Sequence, residues 1–157
     1  MPIRIKIMMS TILKSFTLEN EKYLLRITSR EDIPFIFSAS KISGFNAGLG
    51  WDPMGKLEDH LVPHVKTLRA WEDDRGYSFA ITSKSDEHFL GRISIRKTDE
   101  EDVWNIGFWT HPHHQKRGVM TSCVALVLKF GFEELNAKKI EADYATWNTS
   151  SKKSIRT

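Results

Sequence analysis

A basic turn in the C-terminal half of the chain carries the clearest chemistry in this sequence. The apolar helix pattern that begins at Gln115 opens with Lys116, Arg117 and Gly118. The first N–H groups of a helix lack intrahelical partners and lie at the positive end of its dipole, so they bind anions such as a pyrophosphate. Gly118 can adopt a positive φ and lets the backbone approach a phosphate closely. The alternative is a plain strand-to-helix turn in which the glycine meets only a steric need.

Length and composition limit the molecule to a few classes. A chain of 157 residues fits one compact domain, and 40% hydrophobic with 27% charged residues is an ordinary globular balance. The net charge of +3 suits a nucleotide cofactor, and it would equally suit nucleic acid or an acidic protein surface. The single cysteine excludes an internal disulfide framework, and we expect a cytoplasmic protein with no membrane-spanning segment.

The hydrophobic pattern predicts the elements that position this turn. We expect strands at residues 22–28, 76–82, 89–96, 103–110 and 139–144, and helices at residues 30–40, 57–73 and 115–135. Ser29 is the expected N-cap of the first helix, with Asp32 in a capping-box position. Residues 43–55 are expected to form a long loop, and residues 149–156 to begin a further helix. The second helix is expected to turn four residues inward: Leu61, Val65, Leu68 and Trp71.

The histidines raise the question of a metal site. Five of the six fall into two groups: His60 with His64, and His111 with His113 and His114. We expect no metal, because Pro63 disturbs the first group's helix and no acidic or cysteine ligand has a matching spacing.

Three other residues have both a chemical and a structural interpretation. Cys123 could be a nucleophile, but its place on the apolar helix stripe favours a packed core thiol. Trp51 and Trp71 could stack on a nucleobase. We favour a lid over the acceptor pocket for Trp51 and a core anchor for Trp71.

The basic turn and its flanks resemble a known family. The segment IGFWTHPHHQKRGVMT, residues 106–121, is similar to the acetyl-CoA site of GNAT N-acetyltransferases, whose pattern is Gln/Arg-x-x-Gly-x-Gly/Ala. Gln115 and Gly118 fit this pattern, and Met120 departs from its last position. A Gly-x-Met-Thr sequence resembles the branch that acetylates the N-termini of ribosomal proteins (RimJ/RimL-like).

Two further segments carry the same resemblance. IEADYATWNTSS, residues 140–151, resembles the family's next strand and its Asn-x-x-Ser turn. This implies that Asn148 contacts the pantetheine arm and that Ser151 lies near the cofactor sulfur, where it is the candidate donor to the leaving thiolate. LLRITSREDIPFIF, residues 24–37, resembles the family's first strand and helix, and Trp51-Asp52-Pro53 its acceptor-side loop.

The resemblance implies an α/β (α+β) GNAT fold, in which helices flank a mixed, mostly antiparallel sheet. We expect residues 1–21 to be a basic extension, loosely docked or flexible as far as Phe16, and residues 22–157 to be the acetyltransferase domain. Family members continue with two more strands after the Asn-x-x-Ser helix, so the sequence predicts a sheet that is incomplete at its C-terminal end. A homodimer is one way to cover the exposed edge.

The resemblance also implies a mechanism. A bulge at Gly107 would splay two parallel strands, and the acetyl-pantetheine would insert between them. A backbone N–H near Phe108 and Trp109 would then polarise the thioester carbonyl. The amine attacks directly, and no protein nucleophile is needed. The implied cofactor-binding residues are Phe108, Trp109, Thr110, Gln115, Lys116, Arg117, Gly118, Val119, Met120 and Asn148.

The general base is an open question in the sequence. Many relatives have a glutamate where this chain has Asn105, two residues before the strand glycine. A neutral amide cannot accept the proton, but it can hold a water that does. Glu141 and Asp143 are alternatives, although a solvated or ion-paired strand face is the favoured interpretation of both.

Three functions remain in competition. The leading one is transfer of acetyl from acetyl-CoA to a primary amine, with a protein N-terminus as the expected acceptor and a polyamine or aminoglycoside as near alternatives. The second is a CoA-binding module without turnover. The third, a nucleic-acid-binding domain, lacks any strand motif that interleaves aromatic and basic residues, so we expect no nucleic-acid partner.

Overall fold

A computed structural model describes residues 11–41, 56–114, 118–145 and 150–156, the last group and residues 143–145 by backbone alone. The strands are β1 (Leu18–Glu19), β2 (Tyr23–Ile27), β3 (Gly76–Ser83), β4 (Phe89–Lys97), β5 (Val103–Thr110), β6 (Lys139–Ala145) and β7 (Ser150–Arg156). The helices are α1 (Ile33–Ser40), α2 (Leu61–Glu72) and α3 (Val119–Glu133), with short 3-10 turns at Arg30–Asp32, Leu57–His60 and Pro112–His114.

The sheet is mixed and mostly antiparallel. Its seven strands follow chain order from β1 to β7. All neighbours pair antiparallel except β5 and β6, which are parallel and joined by α3. Two parallel strands that follow one another in the chain need a crossover connection, and here α3 provides it. This helix therefore begins soon after the end of β5. The expected α/β architecture is therefore confirmed.

One face of the sheet forms the hydrophobic core with α3. Tyr77 and Phe79 of β3 contact Phe130 of α3 with ring centroids 5.8 Å apart in both cases. Gly131 allows close packing, since a Cβ there would lie 2.6 Å from Ile140 and 2.8 Å from Ile95. The expected stripe of α3 is confirmed: Val119, Cys123, Val127 and Phe130 are buried, and Leu126 packs against the core.

The first helix is capped as the sequence predicts. Ser29 accepts a hydrogen bond from the Glu31 N–H at 3.1 Å, and Asp32 accepts one from the Ser29 N–H at 2.8 Å. Asp32 is buried, and the Arg26 guanidinium donates to both of its carboxylate oxygens at 2.7 and 2.9 Å. This ion pair raises the pKa of Arg26 and joins β2 to the start of α1.

The inward face of α2 differs from the expectation. Val65 was expected to face the core but is 54% exposed, whereas His60, His64 and Trp71 are buried. Arg92 of β4 explains why a polar residue of α2 faces the sheet, because its guanidinium donates to the Thr67 hydroxyl at 2.9 Å. The helix thus covers a polar patch of the sheet. Trp71 is a core anchor, as expected, and its indole N–H donates to the Ile12 carbonyl at 2.8 Å.

Two terminal expectations are wrong. Residues 11–16 are not loosely docked, because Ile12 is buried and the Phe16 ring packs at a tilt against that of Phe130, with centroids 5.2 Å apart. A helix was expected at residues 149–156, but residues 150–156 form β7, antiparallel to β6. Ser154 and Ile155 are part of this pairing. It supplies hydrogen-bond partners to backbone groups of β6 that would be unpaired at an exposed edge. The boundary at residue 21 stays a prediction.

Candidate active site

The two parallel strands separate at the end that leads into α3. Their register pairs run from Val103 with Lys139 to Gly107 with Asp143 and, within the described residues, end there. Both strands continue, since Phe108–Thr110 pair with β4 alone and Tyr144–Ala145 pair with β7 alone. The sequence predicted this separation of the strands, and it predicted a bulge at Gly107 as the cause. The register of β5 against β4 is unbroken at Gly107, so the expected bulge there is wrong. A register shift occurs instead between β3 and β4, at Ile81 and Thr82.

The start of α3 has the expected backbone geometry. Gly118 has φ +71° and precedes Val119, the first residue of α3. A Cβ at Gly118 would meet nothing within 4 Å, so the backbone is open there. Val119 is buried and Met120 is partly buried against the core. Gln115, Lys116 and Arg117 lie outside the described residues.

The loop between β5 and α3 is held by His111. This side chain is buried; its Nε2 lies 3.4 Å from the Ser38 hydroxyl, and its Nδ1 accepts the His113 N–H at 3.2 Å. Burial lowers the pKa of His111, and His113 and His114 add to the effect. A ring that accepts at Nδ1 is neutral, which matches the lowered pKa. Among the described residues no group of histidine, cysteine and acidic side chains could hold a metal ion.

The sheet face opposite α3 is polar beside the separated strands. Residues 92, 94, 96 and 105 of β4 and β5 alternate with buried Ile93, Ile95 and Ile106. Because side chains alternate across a strand, Arg92, Ser94, Arg96 and Asn105 share the other face. Arg92 is partly buried and also donates to the Ser78 hydroxyl at 3.2 Å.

The expected catalytic residues lie on three neighbouring strands. Asn105 is the register partner of Arg96 on one side and of Glu141 on the other. Glu141 forms an ion pair with Lys139 at 3.3 Å, as the structural interpretation of that strand predicts. Ser151 lies in β7 as the register partner of Tyr144, just beyond the point where β5 and β6 part. Asn148 and Trp51 lie outside the described residues.

Aromatic rings line the end of β5. The Trp109 ring lies 5.8 Å from that of Phe89, which stacks on Phe35 of α1 at 5.7 Å. Phe108 packs on the core side, and Thr110 ends the strand opposite Gly91. Cys123 is buried and burial raises its pKa to about 12, so it is a core thiol, as expected.

Two residues of this site were missed by reasoning from the sequence. Gly91 sits where a Cβ would lie 2.3 Å from the Trp109 carbonyl oxygen, so only glycine lets β4 approach this part of β5. A glycine inside a strand pattern is the signal that could have found it. Arg92 begins the polar positions of β4, which alternate with Ile93 and Ile95, and this alternation is also visible in the sequence.

The arrangement suits a ligand that combines an anion with an extended chain. The start of α3 can bind a pyrophosphate, and the space between the ends of β5 and β6 can take a strand-like arm. Among the described residues, no helix has the length and hydrophobicity needed to span a bilayer.

The chain is similar to several known proteins in sequence. Residues 23–157 match the family described as an acetyltransferase (GNAT) domain. The probable N-acetyltransferase YjcK of Bacillus subtilis is 32% identical over 82 residues, 51% of this chain and 45% of that protein, so the match spans less than half of that relative. The uncharacterized N-acetyltransferase YoaA of the same organism is 23% identical over 136 residues, 85% of this chain and 76% of that protein.

Solved structures show the same fold at low identity. A putative ribosomal-protein-serine acetyltransferase from Vibrio cholerae superposes with a TM-score of 0.71 at 15% identity, over 84% of this chain and 75% of that one. A Vibrio cholerae spermidine N-acetyltransferase with CoA and spermine gives 0.68 at 17%, over 80% and 72%. RimL, a ribosomal L7/L12 α-N-protein acetyltransferase with CoA, gives 0.70 at 12%, over 82% and 74%. With the family match over residues 23–157, the chain belongs to the GNAT acetyltransferases.

Proposed function

We propose that this protein transfers acetyl from acetyl-CoA to a primary amine, and that the amine is a protein N-terminal α-amine. The observation that carries the proposal is the end of β5–β6 pairing at Gly107 and Asp143, together with the positive-φ glycine that precedes α3. RimL and the putative ribosomal-protein-serine acetyltransferase, both similar in fold, support the choice of acceptor.

The cofactor is proposed to bind along this line. Its pyrophosphate would meet the N–H groups at Gly118, Val119 and Met120, with Lys116 and Arg117 as counter-charges. The basic turn also includes Gln115, and the open position at Gly118 leaves the backbone accessible to a phosphate. Asn148 is proposed to contact the pantetheine arm, which would lie between the ends of β5 and β6. When bound, acetyl-CoA supplies the activated thioester.

The chemistry is proposed to need only positioning and proton transfer. The backbone at Phe108, Trp109 and Thr110 lies beyond the last β5–β6 pair, where an N–H can donate to the thioester oxygen as charge develops. Asn105 is proposed to hold the water that takes the amine proton. Glu141 is the alternative, and its ion pair with Lys139 makes it the weaker one. Ser151 is proposed to donate to the departing thiolate.

The test has a binding step and a turnover step. Acetyl-CoA and CoA should raise the unfolding temperature, and a control nucleotide such as GTP should not. Thiol release should then follow when a peptide with an unblocked N-terminus is added. Stabilisation without thiol release from peptides, polyamines and aminoglycosides would favour a CoA-binding module without turnover. If acetyl-CoA does not stabilise the protein, the site assignment is wrong.

Polyamine acetylation is the second candidate. The fold similarity to the spermidine N-acetyltransferase supports it. Spermidine and an N-terminal peptide, compared at equal concentrations in the thiol-release assay, separate the two acceptors.

A further inference from the structure

Two guanidinium groups lie on the polar face of β4, next to the separated strands. Arg92 and Arg96 are four residues apart and so lie on the same face. The Arg96 side chain reaches back along the sheet, since its Nη2 lies 3.8 Å from the position of a Cβ on Gly107. Gly107 pairs with Ser94, which lies midway between the two arginines. Arg96 thus leans towards β5, whereas the Arg92 guanidinium donates to Thr67 of α2 and Ser78 of β3. The two groups share one polar face and are close enough to repel each other.

Neither guanidinium forms a direct ion pair with a carboxylate in the part of the chain that the structure describes. Arg92 donates to two neutral hydroxyls, those of Thr67 and Ser78, at 2.9 and 3.2 Å. Asp32 attracts Arg92 electrostatically, but its ion pair is with Arg26 at 2.7 Å, and Glu141 forms an ion pair with Lys139 at 3.3 Å. A partly buried charge is costly unless it is paired. Burial, together with the charge of Arg96 and against the attraction of Asp32, lowers the pKa of Arg92 to about 10, so Arg92 remains charged at neutral pH.

This positive region borders the place where the thioester is proposed to lie. Arg92 is the register partner of Trp109, two residues beyond the last β5–β6 pair. Neighbouring strands are about 4.8 Å apart, so the arginine backbone is one strand away from the separation. A group bound by these arginines would therefore lie close to the amine that attacks.

We propose that the acceptor carries a carboxylate close to its amine, and that Arg92 and Arg96 bind this carboxylate. Guanidinium groups match the geometry of carboxylates, with two parallel hydrogen bonds in the best case. The same pair repels a polycationic acceptor, which disfavours polyamines. This inference rests on the proposed transfer of acetyl to an amine and specifies its acceptor: an N-terminus followed by an acidic residue, or a free amino acid.

Matched acceptors test the proposal in the unmodified protein. A peptide with aspartate at its second position is compared with the same peptide carrying asparagine, and a free amino acid with its amide. We expect kcat/KM to be about ten- to a thousandfold higher for each acid. The intrinsic reactivity of the amines favours the amide acceptors, because a nearby carboxylate holds the proton on the amine more firmly. Equal rates for acid and amide, or faster spermidine acetylation, would overturn the proposal.

Variants identify the residues responsible. Arg96→Gln alters an exposed side chain and should leave the fold intact, and Arg92→Gln keeps a donor for Thr67 and Ser78. Both should lower kcat/KM for the acid and leave the amide nearly unchanged, so the acid-to-amide ratio falls towards one. Lys129→Gln removes one exposed positive charge from α3, on the opposite side of the sheet, and should leave the ratio unchanged. An undiminished ratio in both arginine variants would reject their role.

Failure of this inference is distinguishable from failure of the proposed function. If acids and amides are acetylated equally well, the protein is an acetyltransferase and only the carboxylate proposal is wrong. If no amine releases thiol, the proposed function is wrong and the inference fails with it. Calorimetric binding of the acid and amide peptides to the protein–CoA complex gives a second readout that needs no turnover.

Discussion

Gly118 shows how a single residue can support a binding site. Its φ of +71° is strained for most side chains, while its Cβ position is open. Asparagine and aspartate both tolerate this conformation and are nearly equal in size. They differ in charge, which is the property that a pyrophosphate site senses.

The pair Gly118→Asp and Gly118→Asn therefore isolates electrostatics at the start of α3. We expect aspartate to weaken CoA binding at least about tenfold more than asparagine does, because a negative charge would face the pyrophosphate. Titration calorimetry with CoA measures the difference. Equal affinities for the two variants would place the pyrophosphate elsewhere.

Ser151 allows a second test on a single side chain. A hydroxyl near the sulfur interacts most strongly when charge builds on the thiolate, so it stabilises the transition state more than the bound cofactor. We expect Ser151→Ala to lower kcat by about ten- to a thousandfold and to change KM for acetyl-CoA little.

Ser150→Ala is the matched control for this variant, because it removes the same group one residue away in β7. It should leave kcat nearly unchanged. An unchanged kcat in Ser151→Ala, or equal losses in the two variants, would argue against a role at the thiolate.

At the scale of elements, the approach of β4 to β5 depends on Gly91. A Cβ at this position would lie 2.3 Å from the Trp109 carbonyl oxygen and 2.9 Å from the Thr110 Cα, and both are backbone atoms. We expect Gly91→Ala to lower the free energy of unfolding by about 1–3 kcal/mol, since the strands must shift apart. Urea unfolding measures this change.

Gly107→Ala is the control for this variant, because Gly107 also lies in the pair formed by β4 and β5. The nearest atoms to its Cβ would be the Ser94 hydroxyl at 3.7 Å and Arg96 Nη2 at 3.8 Å, which are ordinary contacts. We expect a clearly smaller loss of stability than in Gly91→Ala. A larger loss in Gly107→Ala would mean that β5 needs glycine for backbone reasons that the register does not reveal.

At the scale of the whole molecule, buried histidines couple stability to pH. Burial lowers the pKa of His60, His64 and His111 below the ordinary value of 6.5. Below that value the unfolded chain binds protons that the folded chain does not, so unfolding is favoured. The stabilisation from these rings is therefore complete above pH 6.5 and is lost as the pH falls through their folded pKa values.

We expect the free energy of unfolding to fall between about pH 7.5 and about pH 5.5. His64→Gln and His111→Gln should each flatten this dependence, because each removes one buried titrating ring. Urea unfolding at several pH values checks both statements. Stability that is constant or rises on acidification would contradict the account.

Much of the fold was predictable from local patterns. The strands at Gly76–Ser83, Phe89–Lys97 and Val103–Thr110, the cap at Ser29 and the buried stripe of α3 all follow from alternation, helical spacing and capping chemistry. Gly118 was predictable for the same reason, since a positive φ before a helix is a local property. These features depend on residues within a few positions of one another.

Other features depended on contacts between distant parts of the chain. Val65 of α2 is apolar but exposed, while Thr67 of the same helix accepts a hydrogen bond from Arg92 of β4. β7 forms where a helix was expected, because β6 offers it a strand to pair with.

The sequence by itself determined the order of strands and helices from β2 to β6, the glycine at the start of α3 and the family resemblance. Only the tertiary structure decided where β5 and β6 part, that Gly91 must be glycine, and that Arg92 and Arg96 share one face of β4 without a direct ion pair to a carboxylate among the described residues. The physical reason is that propensity, capping and periodicity act along the chain. Register, close approach and charge balance depend on which strands become neighbours.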